Sequence, residues 1–150
     1  MLREHGITLA GPDPASLVEP VSAAQLRDDV LTAMREWADW ADELAMSRRA
    51  QELLVLSYCR MLHVLASGKV TSKREAGQWA LGALDEEWTS LIERALGDRP
   101  DPWGRVRQRA DAETVDRTLA FIRYALAVAR PLTARPAPPS EDGRAMRLPF

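Results

Sequence analysis

The segment LLVLSYCRMLHVLA, residues 53–66, constrains the fold of this chain more than any other feature. It is too long for one β-strand, and it is apolar on nearly every side when it is wound as an α-helix. Gly68 follows it, where a left-handed residue commonly ends a helix. A helix of this kind needs neighbours all round, so the segment predicts the centre of a helical bundle. We expect this helix to begin after Ser47, as its N-cap, and to end near Ser67.

Four more helices are predicted around the central one. Their expected N-caps are Ser22, Ser72, Asp85 and Asp111, and Ser72 with Glu75 has the spacing of a capping box. We expect the first helix to run to about Met46 and Gly97 to stop the fourth. The inward positions are Leu26, Val30, Met34, Trp37, Ala41 and Leu44 in the first helix, Ala76, Trp79 and Ala80 in the third, Trp88, Leu91, Ile92 and Leu96 in the fourth, and Val115, Leu119, Ile122 and Leu126 in the fifth.

The predicted fold class is therefore all-α, a five-helix bundle over residues 22–130. Prolines and glycines break any long helix in residues 1–21, so we expect an irregular N-terminal arm there. Half of the ten prolines fall in residues 131–150, which predicts a disordered C-terminal tail.

The net charge and the cysteine content indicate which partners and which cellular compartment to expect. A net charge of −2 gives no general attraction to nucleic acid or to an anionic membrane, so neither is expected as a partner. The single cysteine is compatible with a reducing compartment, and there is no charged-then-apolar leader and no apolar run of about 18 residues. We expect a cytoplasmic protein.

The Gly68-Lys69 pair looks like part of a phosphate-binding loop but does not fit one. A P-loop has a glycine five residues earlier and a serine or threonine after the lysine. Here His63 and Val70 occupy those positions, and a long helix precedes the pair instead of a strand. The sequence thus predicts a helix C-cap and a turn at this point.

A phosphate site remains possible by another route. Arg60 interrupts the most apolar helix, so it is either paired with an acid of another helix or directed at an anion. Lys69 and Lys73 flank the start of the third helix, whose free N–H groups favour anions. The three cations could converge on phosphates, or each lysine could be a solvated turn residue.

An acidic and aromatic cluster lies near the end of the first predicted helix. Trp37, Trp40, Asp39, Asp42 and Glu43 combine carboxylates with flat aromatic surface, which suits a polycationic sugar. The alternative assigns the tryptophans to the core and the acids to solvent, and for Trp37 we favour that alternative.

No metal-binding motif is present. Cys59 and His63 lie one helical turn apart and could bind the same ion, but two ligands are too few to predict a zinc site. The other histidine, His5, is far from them in sequence.

One ordered set of residues resembles the C-terminal helical domain of the aminoglycoside adenylyltransferases that modify streptomycin and spectinomycin. The resemblance covers about residues 2–129, includes the arm segment REHGITLAGP, and is most specific in the central helix, the glycine–lysine turn and the helix that follows. The matching residues there are Leu56, Ser57, Arg60, Gly68, Lys69, Val70, Lys73, Ala76, Trp79 and Ala80.

The resemblance implies a substrate- and nucleotide-side helical domain. In the family, AMP passes from ATP to a drug hydroxyl between this domain and an N-terminal nucleotidyltransferase domain that carries the metal-binding acids. It implies nucleotide contacts from Lys73 and Arg60, and contacts to the aminoglycoside antibiotic near Trp40 and the acids Asp39, Asp42 and Glu43. It implies no catalytic residue in this chain, and ATP and Mg²⁺ only together with a nucleotidyltransferase domain, in cis or in trans.

Two departures from the family pattern and two alternative functions accompany this interpretation. Ser47-Arg48-Arg49-Ala50 stands where the family has acids, and Trp103, in GDRPDPWG, replaces a nucleotide-side tyrosine.

The first alternative function is a non-catalytic module that pairs with a separate nucleotidyltransferase chain. The second is a toxin-type helical ribonuclease, which needs an arginine and a histidine four to six residues further along one helix, whereas Arg60 and His63 are three apart.

Overall fold

The computed structural model describes residues 7–8, 10–17, 19–98 and 108–133. The helices are α1 Pro14–Leu17, α2 Ala23–Asp39, α3 Ala41–Leu44, α4 Arg48–Ser67, α5 Lys73–Ala83, α6 Thr89–Asp98 and α7 Ala112–Thr133, with a 3₁₀ turn at Glu86–Trp88 before α6. The segment that contains Trp103 and the predicted tail from residue 134 onward lie outside the described residues, as do five of the ten residues of the arm segment that resembles the family. The last helix runs three residues beyond the predicted boundary at 130.

The central position of α4 is confirmed. It packs against α2, α5, α6 and α7, and most of its side chains are buried. The core that it forms with its neighbours is continuous, and its largest fully buried side chains are Tyr58, Phe121, Met34, Leu54, Leu56, Leu62, Leu65 and Ile92. The all-α prediction is confirmed, and among the described residues the one β-type pairing is an isolated bridge between Ser47 and Arg109.

The first predicted helix is interrupted, which the sequence did not indicate. α2 ends at Asp39, and Trp40 has φ −100° and ψ −2° before the single turn α3 begins. This break rotates the following residues, so that Ala41 and Ala45 are buried while Leu44 is 38% exposed. The prediction of an unbroken helix to Met46 with Leu44 inward was wrong.

Of the five predicted N-caps, three make a side-chain capping hydrogen bond and two do not. Ser22 and Ser72 form full capping boxes, and the Oδ1 atom of Asp111 accepts from the backbone N–H of Thr114 at 2.9 Å. Ser47 stands at the N-cap of α4, but its side chain makes no capping hydrogen bond, because the backbone beside it pairs with residues 108–110. Asp85 likewise makes no side-chain cap and precedes the 3₁₀ turn.

Two further expectations needed correction. Gly97 does not stop α6, which continues to Asp98. On α7, Val115 and Ile122 are buried as predicted, while Leu119 and Leu126 are only half-buried and the buried face also includes Thr118, Phe121 and Ala125. Within the described residues, no helix is both long and apolar enough to span a membrane.

Candidate functional site

An open groove of about 350 Å³ lies between α2 and α4. Most of its lining is apolar and comes from both helices and from the turn that follows α4: Leu26, Val30, Ala33, Met61, Val64 and Val70. Two charged side chains, Asp29 and Arg60, complete it. A groove with apolar walls and a few convergent polar groups is the usual form of a small-molecule site.

Arg60 is half-buried in this groove. The sequence left two uses for it, an ion pair with an acid of another helix or an anion. Within the part of the chain that the structure describes, no hydrogen bond or ion pair joins Arg60 to another residue, although Asp29 lines the same groove. The guanidinium therefore keeps its donors available at a partly desolvated position, where a bidentate anion binds well.

The turn after α4 brings the chain from the groove to the start of α5. Gly68 has φ 70° and ψ 5°, and its N–H donates to the carbonyl of Val64 at 2.8 Å, which confirms the predicted left-handed C-cap. Val70 then lines the groove, and Lys73 is the first residue of α5. Lys69 is exposed and lies in the turn, outside either helix.

The start of α5 is held by hydrogen bonds to Glu75. Its Oε2 atom accepts from the Thr71 hydroxyl at 2.5 Å and from the backbone N–H of Ser72 at 3.1 Å. The Ser72 hydroxyl accepts from the N–H of Glu75 at 3.2 Å in return. These hydrogen bonds lower the pKa of Glu75 below its usual value, and the bond from Thr71 has the largest effect. The carboxylate is therefore charged at neutral pH, and the cap stays closed.

Cys59 and His63 do not form a metal pair. Cys59 is fully buried, and desolvation raises the pKa of its thiol to about 12, which disfavours the thiolate that binds metals. His63 is half-buried and packs edge-on against Trp79, with ring centroids 5.3 Å apart. No group of three or more His, Cys, Asp or Glu side chains arranged for a metal ion occurs in the described segments.

The acidic and aromatic cluster is divided between the core and the surface. Trp37 packs against the core, as the sequence favoured, whereas Trp40 is 63% exposed at the break between α2 and α3. The side chains of Asp39, Asp42 and Glu43 are exposed beside it. We call Trp40, Asp39, Asp42 and Glu43 the acidic patch.

The acidic patch and the groove are joined by α2. Asp29 and Asp39 are ten residues apart on this helix, which corresponds to about 15 Å along its axis. The Tyr58 hydroxyl of α4 donates to the carbonyl of Met34 at 2.7 Å between them. Burial, and secondarily the charge of Asp39, raises the pKa of Tyr58 to about 12, so this hydroxyl keeps its proton and holds α4 to α2.

Two residues have positions that sequence reasoning missed. Asp29 is exposed on α2, and it also lines the groove with Arg60, which the sequence did not indicate. Arg48, which stands where acids were expected from the resemblance, donates from Nε to Asp98 at 3.1 Å and from a terminal nitrogen to Gln108 at 3.2 Å. Arg48 is thus a structural link from α4 to α6, with its charge offset by a carboxylate. Both positions depend on how distant segments pack, which no local pattern records.

Comparison with known proteins gives one family. Residues 16–126 match the family described as "Aminoglycoside adenylyltransferase, C-terminal domain". The match covers α2 to α6 and most of α7, and so includes the groove, the turn and the acidic patch.

Curated relatives agree with that match. The chain is 29% identical over 106 residues to the spectinomycin 9-adenylyltransferase of Staphylococcus aureus strain N315, which covers 67% of this chain and 38% of that protein. It is 29% identical over 116 residues to the aminoglycoside (3'') (9) adenylyltransferase of Escherichia coli, covering 73% of this chain and 40% of the relative. The chain thus spans about two fifths of the length of these relatives.

Proposed function

Because the chain belongs to the aminoglycoside adenylyltransferase C-terminal domain family, we propose that it forms the helical, substrate- and nucleotide-side part of an enzyme that transfers AMP from ATP to a hydroxyl of an aminoglycoside. The matched relatives are more than twice as long as the region they share with it. A nucleotidyltransferase domain, in cis or in trans, supplies the rest of the site in this proposal. The observation that carries it is the half-buried Arg60, which lines a groove without a partner among the described residues.

The nucleotide side is assigned to Arg60 and Lys73. A half-buried guanidinium without a carboxylate partner gains from binding an anion, and phosphate oxygens match its paired donors. Lys73 is the first residue of α5, at the helix N-terminus, whose backbone N–H groups favour anions. Val70 links the two, since it lines the groove three residues before Lys73.

The drug side is assigned to the acidic patch. Aminoglycosides carry several ammonium groups on sugar rings, so exposed carboxylates offer charge pairing and an exposed indole offers stacking. Asp39, Asp42 and Glu43 surround Trp40 in the required combination. This surface is on the same helix as the groove, about 15 Å along its axis, a separation within the span of an extended nucleotide and drug.

ATP and Mg²⁺ belong to the assembled enzyme in this proposal. ATP supplies the transferred AMP, and Mg²⁺ neutralises charge on the phosphates when both are bound. The residues of this chain bind and orient: Arg60 and Lys73 hold phosphate oxygens, and the carboxylates of the acidic patch fix the cationic sugar. The apolar walls of the groove reduce access of water to Arg60, which strengthens its charge interactions.

The experiment is an AMP-transfer assay with radiolabelled ATP, Mg²⁺, and streptomycin or spectinomycin. It compares the 150-residue chain alone, the chain joined to the N-terminal part of the Escherichia coli relative, and that part alone. We expect transfer only by the joined protein, at a rate lowered in Arg60→Ala. Absence of transfer to either drug, with MgATP bound normally, would contradict the proposed reaction and favour a pairing module without activity.

A further inference from the structure

His63 lies at the centre of a hydrogen-bonded cluster that spans the end of α4 and the turn after it. Its Nδ1 atom is 3.2 Å from the carbonyl oxygen of Lys69 and 3.3 Å from the hydroxyl of Ser67. The Ser67 hydroxyl is also 2.8 Å from the carbonyl oxygen of His63 and 3.1 Å from the backbone N–H of Lys69. No role was predicted for Ser67 from the sequence, and His63 was considered only with Cys59 for a metal and with Arg60 for the ribonuclease alternative.

We assign the protons of this cluster from its donors and acceptors, because the roles of the ring nitrogens depend on the tautomer. The backbone N–H of Lys69 can only donate, so the Ser67 oxygen accepts from it. The Ser67 proton then goes to the carbonyl of His63, at the shorter of its two carbonyl distances. The Lys69 carbonyl can only accept, so Nδ1 of His63 carries the ring proton and donates to it.

The ring of His63 is also fixed from α5. It meets Trp79 edge-on, with an interplanar angle of 88°. The imidazole is therefore held between the helix that carries Arg60 and the helix that Lys73 begins, and it bonds the backbone of the turn that joins them. The other bonds to this turn reach its two ends, from Gly68 and Lys69 back to α4 and from Thr71 and Ser72 to Glu75, and the bond from His63 is the one to the Lys69 carbonyl from a ring that also contacts α5.

We infer that His63 is a positioning residue for the nucleotide: by donating from Nδ1 to the Lys69 carbonyl it fixes the turn that sets where Lys73 stands relative to Arg60. This inference rests on the proposed function, and it adds a residue that touches no substrate. Without the bond, the turn from residue 69 to 72 gains backbone freedom, and ordering it again on binding costs conformational entropy. The Ser72–Glu75 capping box still starts α5, so the fold is kept while the placement of Lys73 loosens.

The test is a double-mutant cycle on MgATP affinity in the joined protein, measured by calorimetry. The variants are His63→Ala, Lys73→Ala, the double variant, and His63→Asn, whose side-chain NH₂ stands close to the place of Nδ1. Gln78→Ala, exposed on α5, is the control. We expect His63→Ala to weaken binding about two- to tenfold, the effect of one neutral hydrogen bond. His63→Asn should restore most of the affinity, and His63→Ala should have no further effect in the Lys73→Ala background.

The outcomes separate this inference from the function on which it rests. If Lys73→Ala weakens binding while His63→Ala does not, or if their effects simply add, the positioning role is wrong and the nucleotide assignment stands. If Lys73→Ala leaves binding unchanged, the nucleotide assignment itself fails. In the supporting case, the KM for ATP of His63→Ala rises while kcat is kept, because the residue orders the binding site without contacting the reacting atoms.

Discussion

Replacing Gly77 with alanine should destabilise the bundle relative to the same change at Gly82, five residues further along α5. A Cβ atom at Gly77 would lie 2.8 Å from Cδ2 of Leu96 and 3.1 Å from Cδ2 of Leu56, whereas at Gly82 nothing lies within 4 Å. Leu56 is fully buried and has no room to move, although Leu96 is only half-buried and can yield. The glycine is therefore a close approach of α5 to α4 and α6.

The magnitude follows from two opposing terms. Both substitutions gain up to about 1 kcal/mol of helix propensity. At Gly77 the added methyl overpacks the interface, which typically costs about 1–3 kcal/mol. Gly77→Ala should thus be less stable than Gly82→Ala by about 1–3 kcal/mol, which is a difference of roughly 2–10 °C in Tm for a chain of this size.

The assay is thermal unfolding followed by circular dichroism, with urea unfolding as a check on the free energy. Gly82→Ala serves as the matched control, because it makes the same chemical change on the same helix. If Gly77→Ala melts at or above the temperature of Gly82→Ala, α5 is not seated on α4 as described. The position of the start of α5 relative to α4, on which the assignment of Lys73 depends, would then lose its support.

Two further changes test the links that hold the site. Tyr58→Phe removes the buried hydrogen bond to the Met34 carbonyl that joins α4 to α2 and should lower the free energy of unfolding by about 0.5–1.5 kcal/mol; an unchanged urea midpoint would contradict that bond. Hydrogen bonds from Thr114, and then from Arg94, hold the pKa of Asp111 well below its usual value, so its contribution to stability is full above the usual carboxyl pKa of about 4 and is lost as the pH falls further. Asp111→Asn should therefore lower Tm by more at pH 7 than at pH 2, and an equal difference at both values would contradict the assignment.

Local patterns in the sequence predicted the parts of the fold that local forces decide. The all-round apolar character of α4 predicted its central place, and Gly68, Ser22 and Ser72 were identified as caps because their bonds join residues three or four positions apart. The break at Trp40 carries no glycine or proline signal, so nothing in the sequence marked it. The lack of a side-chain cap at Ser47 depends on pairing with residues 108–110, a contact between distant segments.

The candidate site divides in the same way. Arg60 was singled out because a charge in an apolar helix needs an explanation, and the start of α5 at Lys73 follows from the capping box. The crossing of α2 over α4 decides that the exposed Asp29 lines the same groove as Arg60, which the amphipathic pattern of α2 alone does not record. The sequence did not connect His63 with the turn, because its bond to the Lys69 carbonyl requires the left-handed turn at Gly68 to bring that carbonyl back toward the helix.

The most direct test of the account is whether the nucleotide is held by Lys73 and not by Lys69. The two lysines lie four residues apart, and both are cations in or next to the same turn, so each controls for the general loss of charge caused by the other substitution. The measurement is MgATP affinity of the joined protein for Lys73→Ala and Lys69→Ala. We predict a loss of about tenfold or more for Lys73→Ala, equivalent to ~1.4 kcal/mol, and little change for Lys69→Ala. Equal effects, or no effect of Lys73→Ala, would contradict the nucleotide assignment and leave the turn as a plain connection between two helices.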